Sequence, residues 1–92
     1  MKRKRNMPVL ARFYGVVIRM LFDRALPARF HAFFDGHEAV IEIFPLRIVG
    51  GSLPQPIAAR VLEWGRARRA ELLADWQRCR LSQRPAPIAP PA

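Results

Sequence analysis

The chain has few of the residues that many catalytic and structural sites require, with one cysteine, two histidines and seven acidic residues among 92. The lone Cys79 excludes an internal disulfide and is typical of a reducing compartment. Because a metal site needs three or four ligands, we predict neither a metal nor a cofactor. Gly-rich phosphate loops, Ser–His–Asp arrangements and Cys-x-x-Cys pairs are also missing, which argues against the common enzyme classes.

Long apolar runs are missing as well. No window of the sequence approaches the roughly 20 apolar residues of a membrane span. Arg12 and Arg19 also interrupt the stretch that would otherwise serve as the apolar part of a signal sequence. We therefore predict a cytoplasmic protein that does not bind membranes.

Positive charge dominates the sequence. The formal net charge is +9, and fourteen of the sixteen basic residues are arginine. This balance favours nucleic acids or acidic proteins as partners. We predict that residues 1–6 form a basic N-terminal extension, with Met7 as an alternative start. Residues 7–82 are predicted to form a single domain, and residues 83–92 a proline-rich C-terminal tail.

One long amphipathic helix is predicted for about residues 55–81. Its apolar residues recur at spacings of three and four, which is typical of a helix with one buried face; they are Ile57, Ala58, Val61, Leu62, Gly65, Leu72, Leu73, Trp76 and Cys79. Trp64 falls at the margin of this face, and Arg69 interrupts it. Strand-rich segments precede the helix, so the predicted fold is α+β, a small antiparallel sheet of four to five strands packed against the helix.

Asp35-Gly36 is the strongest turn signal, because both central residues of a type I′ turn need positive φ. A two-residue and a four-residue loop both place the same side chains together. One face is apolar and is expected to meet the helix: Phe30, Ala32, Phe34, Ala39, Ile41 and Ile43. The other face is mixed: Arg29, His31, Phe33, Glu38, Val40 and Glu42. Residues 16–22, after a turn at Tyr14-Gly15, alternate in the same way.

The mixed face carries the best candidate for chemistry. A small hydrolase or ribonuclease would use His31 with Glu38 or Glu42 as general acid and base. The alternative, which we favour, is an exposed surface on which Arg29 and Glu42 form a cross-strand ion pair.

Arginine side chains are the predicted contacts for nucleic acid or a protein partner, because guanidinium groups bind phosphates and carboxylates in a bidentate way. The predicted contacts are Arg19, Arg24, Arg29, Arg47, Arg66 and Arg69.

Several stretches together resemble a bacterial family, domain of unknown function 4160. They are residues 7–8, 12–20, 30–32, 38–43, 53–54 and 62–64, followed by residues 71–73 and Trp76. Members of this family are often encoded beside a small protein of domain of unknown function 2442, and some are described as transcriptional regulators or toxin–antitoxin components. The resemblance therefore implies a small protein partner, with a homodimer or nucleic acid as alternatives.

The chain departs from the family between the second and third predicted strands. Family members commonly carry the pattern Asp-His-x-Pro-Pro-His-x-His there, whereas this chain runs from Arg24 to His31 and keeps only Pro27 and His31 of the pattern. Metal binding or proton transfer by clustered histidines is therefore not supported by this sequence. We predict a binding module instead of an enzyme.

Overall fold

The structure is a computed structural model that describes residues 7–92. Five strands precede two helices, which confirms the α+β class: β1 (Val9–Phe13), β2 (Val16–Arg19), β3 (Arg29–Phe34), β4 (His37–Ile43), β5 (Leu46–Gly51), α1 (Gln55–Ala67) and α2 (Arg69–Arg80). The strands form one antiparallel sheet in the order β1-β2-β3-β4-β5, so each strand pairs with the next along the chain. The predicted basic extension of residues 1–6 lies outside the described residues.

Two tight turns set the register of the sheet. Asp35 and Gly36 have φ of 45° and 80°, and the turn pairs Phe34 with His37. This is the two-residue loop of a type I′ hairpin. Tyr14 and Gly15, with φ of 52° and 78°, connect β1 to β2 in the same manner. Because the side-chain period of a strand is two, these turns determine which side chains share a face.

The face of the sheet that the sequence predicts as apolar is the core face. Five of the six hairpin residues predicted for it have no exposed surface, and Phe34 is half-buried. The Trp64 ring lies 5.1 Å from that of Phe13 and 5.9 Å from that of Phe30. The Trp76 ring lies 4.9 Å from that of Phe22. Both helices therefore pack on this one face, and Trp64 and Trp76 are both buried in the core.

The prediction of one long helix is wrong, because the chain forms α1 and α2 with Arg68 between them. Arg68 has φ −108° and ψ 19°, outside the helical range. The guanidinium group of Arg69, the first residue of α2, lies over the Phe44 ring, 5.4 Å from its centroid. The ring electrons stabilise a cation in this position.

The buried face of α2 differs in part from the predicted one. Leu73 was predicted to be buried, but 39% of it is exposed. Leu72 and Trp76 are buried as predicted, and Asp75 joins them with no exposed surface. The Asp75 carboxylate accepts a hydrogen bond of 2.8 Å from Arg78, as the three-residue spacing of these two residues predicts.

Residues 85–92 form no helix or strand, yet they lie against the domain, and we call them the C-terminal strap. Ile88 is only 4% exposed and belongs to the core. Its backbone N–H donates to the carbonyl of Leu10 in the edge strand β1 at 2.8 Å. The strap therefore lies along the edge of the sheet at which β1 would otherwise be unpaired.

Gly51 provides a test of this architecture. It has φ of 67°, and a Cβ at this position would collide with the backbone carbonyl of Glu38. We expect Gly51→Ala to lower the free energy of unfolding by at least about 2 kcal/mol, because a left-handed backbone alone costs an L-residue about 1–2 kcal/mol. Gly50→Ala is the matched control, since its Cβ would meet the Val40 side chain at an ordinary 3.7 Å. Urea unfolding measures both variants, and equal losses would contradict this assignment.

Candidate binding face

The second face of the sheet is covered by neither α1 nor α2, and we call it the open face. Side chains alternate along each strand, and directly paired residues point to the same side. The strand pairing therefore assigns to the open face Val9, Arg12, Val17, Arg19, Arg29, His31, Phe33, Glu38, Val40, Glu42 and Arg47. The mixed residues predicted for β3 and β4 all lie on this face.

The open face has an apolar centre and charged margins. Val17, Phe33 and Val40, from three adjacent strands, are half-buried. Arg12 and Glu38, at the two ends of the row that contains Val17 and Phe33, are exposed. An apolar patch with a charged margin is therefore built into the middle of the sheet.

Glu42 organises the margin on one side. Its carboxylate contacts Arg29 Nη2 at 3.3 Å and Arg47 Nε at 3.1 Å. The side chains of Glu42 and Arg29 are 12% and 15% exposed, whereas that of Arg47 is 64% exposed. The predicted cross-strand pair of Arg29 and Glu42 is therefore confirmed. Because two guanidinium groups share one carboxylate, this cluster retains a net positive charge.

His31 lies beside Glu38. Its Nδ1 is 3.0 Å from a Glu38 carboxylate oxygen, and its side chain is 12% exposed. The His31 ring is also stacked on Phe33, with centroids 6.4 Å apart and an angle of 15° between planes. The sequence left Glu38 and Glu42 as alternative partners for His31. The structure brings Glu38 to His31 and holds Glu42 between arginines.

The His31–Glu38 pair lines neither of two cavities in the structure, whereas acid–base catalysis needs a site shielded from water. One cavity of about 780 Å³ lies between the end of β2 and the C-terminal end of α2. Another of about 370 Å³ lies beside Tyr14 and Trp64. Neither is lined by His31 or Glu38.

Within residues 7–92, no group of three or more His, Cys, Asp or Glu side chains is placed to hold a metal ion.

The structure brings together only some of the arginines predicted as contacts. Arg19, Arg29 and Arg47 share the open face. The other three lie elsewhere: Arg24 in the β2–β3 loop, Arg66 on the exposed side of α1, and Arg69 at the start of α2. These six residues therefore do not form one surface.

Sequence reasoning missed the two open-face residues of β1, Val9 and Arg12. The register of β1 shifts between Val9 and Ala11, so the alternation of this strand is broken and its faces cannot be read directly. The available signal was the Tyr14-Gly15 turn. A two-residue turn there places Phe13 opposite Val16 and hence Arg12 opposite Val17.

Cys79 is a poor nucleophile in this fold. Burial raises the pKa of its thiol, and the nearby Asp75 carboxylate raises that pKa further. Both effects disfavour the thiolate, which is the reactive form. Its contacts with the core agree with a packing role.

Comparison with protein families identifies the domain. The sequence model described as a domain of unknown function (DUF4160) matches residues 15–77, more than half of the chain. The chain belongs to the DUF4160 family. Within this DUF4160 protein the matched part includes every open-face residue except Val9 and Arg12. No curated protein and no solved structure matches the chain. No helix formed by residues 7–92 of the DUF4160 protein has the length and apolar character to cross a membrane.

Glu42 offers a test of the electrostatics of the open face. We expect Glu42→Gln to lower the free energy of unfolding by about 1–3 kcal/mol, because it leaves two guanidinium groups facing each other without the carboxylate. Glu38→Gln is the control, since its side chain is 50% exposed and should cost less than about 1 kcal/mol. Chemical denaturation at low and at high salt measures both. A Glu42→Gln variant as stable as wild type would contradict the role of Glu42.

Proposed function

We propose that this DUF4160 protein is a binding module, not an enzyme, and that its open face docks an acidic surface of a small protein partner. The observation that supports the proposal is the apolar centre of Val17, Phe33 and Val40, set among arginines on a sheet face that neither helix covers. Protein interfaces commonly combine a desolvated apolar or aromatic centre with arginine-rich surroundings.

The charges of the open face favour an acidic partner. Four arginines and two glutamates lie on it, and Glu42 already bridges Arg29 and Arg47. Arg19 donates one hydrogen bond of 2.7 Å to the carbonyl of Met7 and keeps its positive charge. Complementary charge accelerates association and selects among partners.

The family resemblance suggests the setting. We propose that the protein acts in the bacterial cytoplasm as a transcriptional regulator or as one half of a toxin–antitoxin-type pair. The single cysteine agrees with that compartment. The first partner to test is the small protein encoded by an adjacent gene, in particular one of domain of unknown function 2442. A second copy of this chain is the alternative.

Charge reversal on the two sides of the molecule tests the proposal. We expect Arg12→Glu to weaken binding of the adjacent gene's product at least tenfold, about 1.4 kcal/mol. Arg66→Glu makes the same change of net charge on exposed α1 and should alter affinity less than about threefold. Isothermal titration calorimetry with the purified proteins measures both variants. Equal losses would assign the effect to net charge, and an absence of binding would remove this partner from the proposal.

Single-stranded nucleic acid is a second candidate, favoured by the stacked His31–Phe33 pair among arginines. For this candidate we expect Phe33→Ala to weaken binding of a fluorescent RNA strand. Phe44→Ala, in the β4–β5 turn, should leave the affinity unchanged. A plot of the logarithm of the binding constant against the logarithm of the salt concentration should have a slope of about −0.7 per contacted phosphate.

The same RNA tests the hydrolase alternative. Cleavage of the RNA that His31→Ala abolishes would replace the binding module with an enzyme.

A further inference from the structure

The C-terminal strap is bound mainly through its backbone. The Ala86 N–H donates to Asp75 Oδ1 at 2.7 Å, and the Ile88 N–H donates to the Leu10 carbonyl at 2.8 Å. Trp64 Nε1 donates to the Ala89 carbonyl at 2.9 Å. Edge strand β1, helix α1 and helix α2 each supply one of these three partners. We call the channel between them the strap groove.

The prolines of the strap fit the same pattern. The two N–H groups that are used belong to Ala86 and Ile88, and the residues before each of them are Pro85 and Pro87. A chain along a sheet edge uses every second N–H, so a residue without an N–H is accommodated at the positions between. The groove therefore suits an extended chain with proline at alternate positions, a conformation that proline favours before binding.

Side-chain recognition in the groove depends mostly on Ile88. It is 4% exposed, whereas Pro87, Ala89 and Pro90 are exposed. The ligand chemistry that the groove selects is therefore an extended, proline-rich segment with one aliphatic anchor. An indole N–H that binds a backbone carbonyl, beside aromatic surface, is also how other domains recognise proline-rich peptides.

The groove continues beyond the residues that fill it. The cavity of about 370 Å³ is lined by Tyr14, Arg60, Trp64 and Arg68 together with Pro91 and Ala92. The Arg60 guanidinium group lies 4.6 Å from the centroid of the Tyr14 ring, so one wall of this cavity is both aromatic and cationic. The cavity leaves room for further residues of a longer ligand.

We infer that the strap groove is a binding site for an extended, proline-rich segment of a partner protein, and that the C-terminal strap occupies it in cis as an internal competitor. The site lies at the β1 edge, apart from the open face, so this inference does not depend on the proposed function. A segment tethered by a short linker acts at an effective concentration on the order of millimolar. A partner segment is therefore bound tightly only when the strap is loosened, because the apparent Kd scales inversely with the fraction of open groove.

The experiment uses the full-length chain and a fluorescein-labelled synthetic peptide with the sequence of residues 84–92. Ala86→Pro removes the N–H that binds Asp75 and leaves the groove residues unchanged. Ala89→Pro is the matched control: it adds the same residue to the strap, keeps the carbonyl that Trp64 binds, and removes an N–H for which residues 7–92 show no acceptor. Fluorescence anisotropy measures peptide binding, and circular dichroism measures the folding of each variant.

We expect the Ala86→Pro chain to bind the peptide at least tenfold more tightly than the wild type or the Ala89→Pro chain. A peptide carrying Ile88→Asp should not bind. If folded Ala86→Pro binds no better than wild type, the strap is a permanent part of the core and the inference is overturned. Dimerisation in place of peptide binding, seen by sedimentation, would show that the occupant is the strap of a second copy and would overturn the assignment to a partner.

If Ala86→Pro does not fold, the wild-type chain gives the answer. In the isotopically labelled chain, a methyl resonance of Ile88 is expected to shift when unlabelled peptide is added at several millimolar, because free peptide then displaces the tethered strap and Ile88 leaves the groove. An unchanged resonance over that range would overturn the inference.

Discussion

The close approach of α1 to the sheet is the contact that the rest of the structure depends on. Gly65 faces the sheet, and a Cβ there would lie 3.2 Å from a methyl carbon of Leu46 and 3.4 Å from the Phe30 ring. The missing side chain lets the helix lie close, and the neighbouring Trp64 fills the remaining space against Phe13 and Phe30. Burial of one large aromatic side chain stabilises a fold of this size by about 2–3 kcal/mol. This contact holds the helical layer on one side of the sheet.

One-sided coverage has a direct consequence for function. A sheet has two faces, and the two helices formed by residues 7–92 lie on one of them. The open face keeps half-buried apolar side chains, and Glu42 forms ion pairs with two of the arginines on that face. The open face therefore combines apolar area with ordered positive charge, as the surface of a docking module does.

The helical layer contains one buried carboxylate. Asp75 of α2 has no exposed surface, and a buried carboxylate needs hydrogen-bond donors. Arg78 supplies one donor, and the Ala86 N–H of the strap supplies another. Helix α2 and the strap are therefore linked through one carboxylate.

The sequence by itself determined the α+β class, the turn at Asp35-Gly36 and the core face of the β3–β4 hairpin. These features follow from local chemistry: a two-residue period along strands, positive φ in tight turns, and apolar spacing of three and four along helices. The paired Arg29 and Glu42 followed from the same hairpin register. The six open-face residues of β3 and β4 were therefore predictable from local pattern alone.

Only the tertiary structure decided the break at Arg68, the exposure of Leu73 and the burial of Asp75. Each depends on where the helices meet the sheet and on which donors lie nearby, and no local pattern records either. The position of Arg12 depended on an irregular register in β1, and the course of the strap depended on Trp64, which lies 25 residues before Ala89. Local pattern thus specifies the faces, whereas long-range packing decides which charged groups reach them.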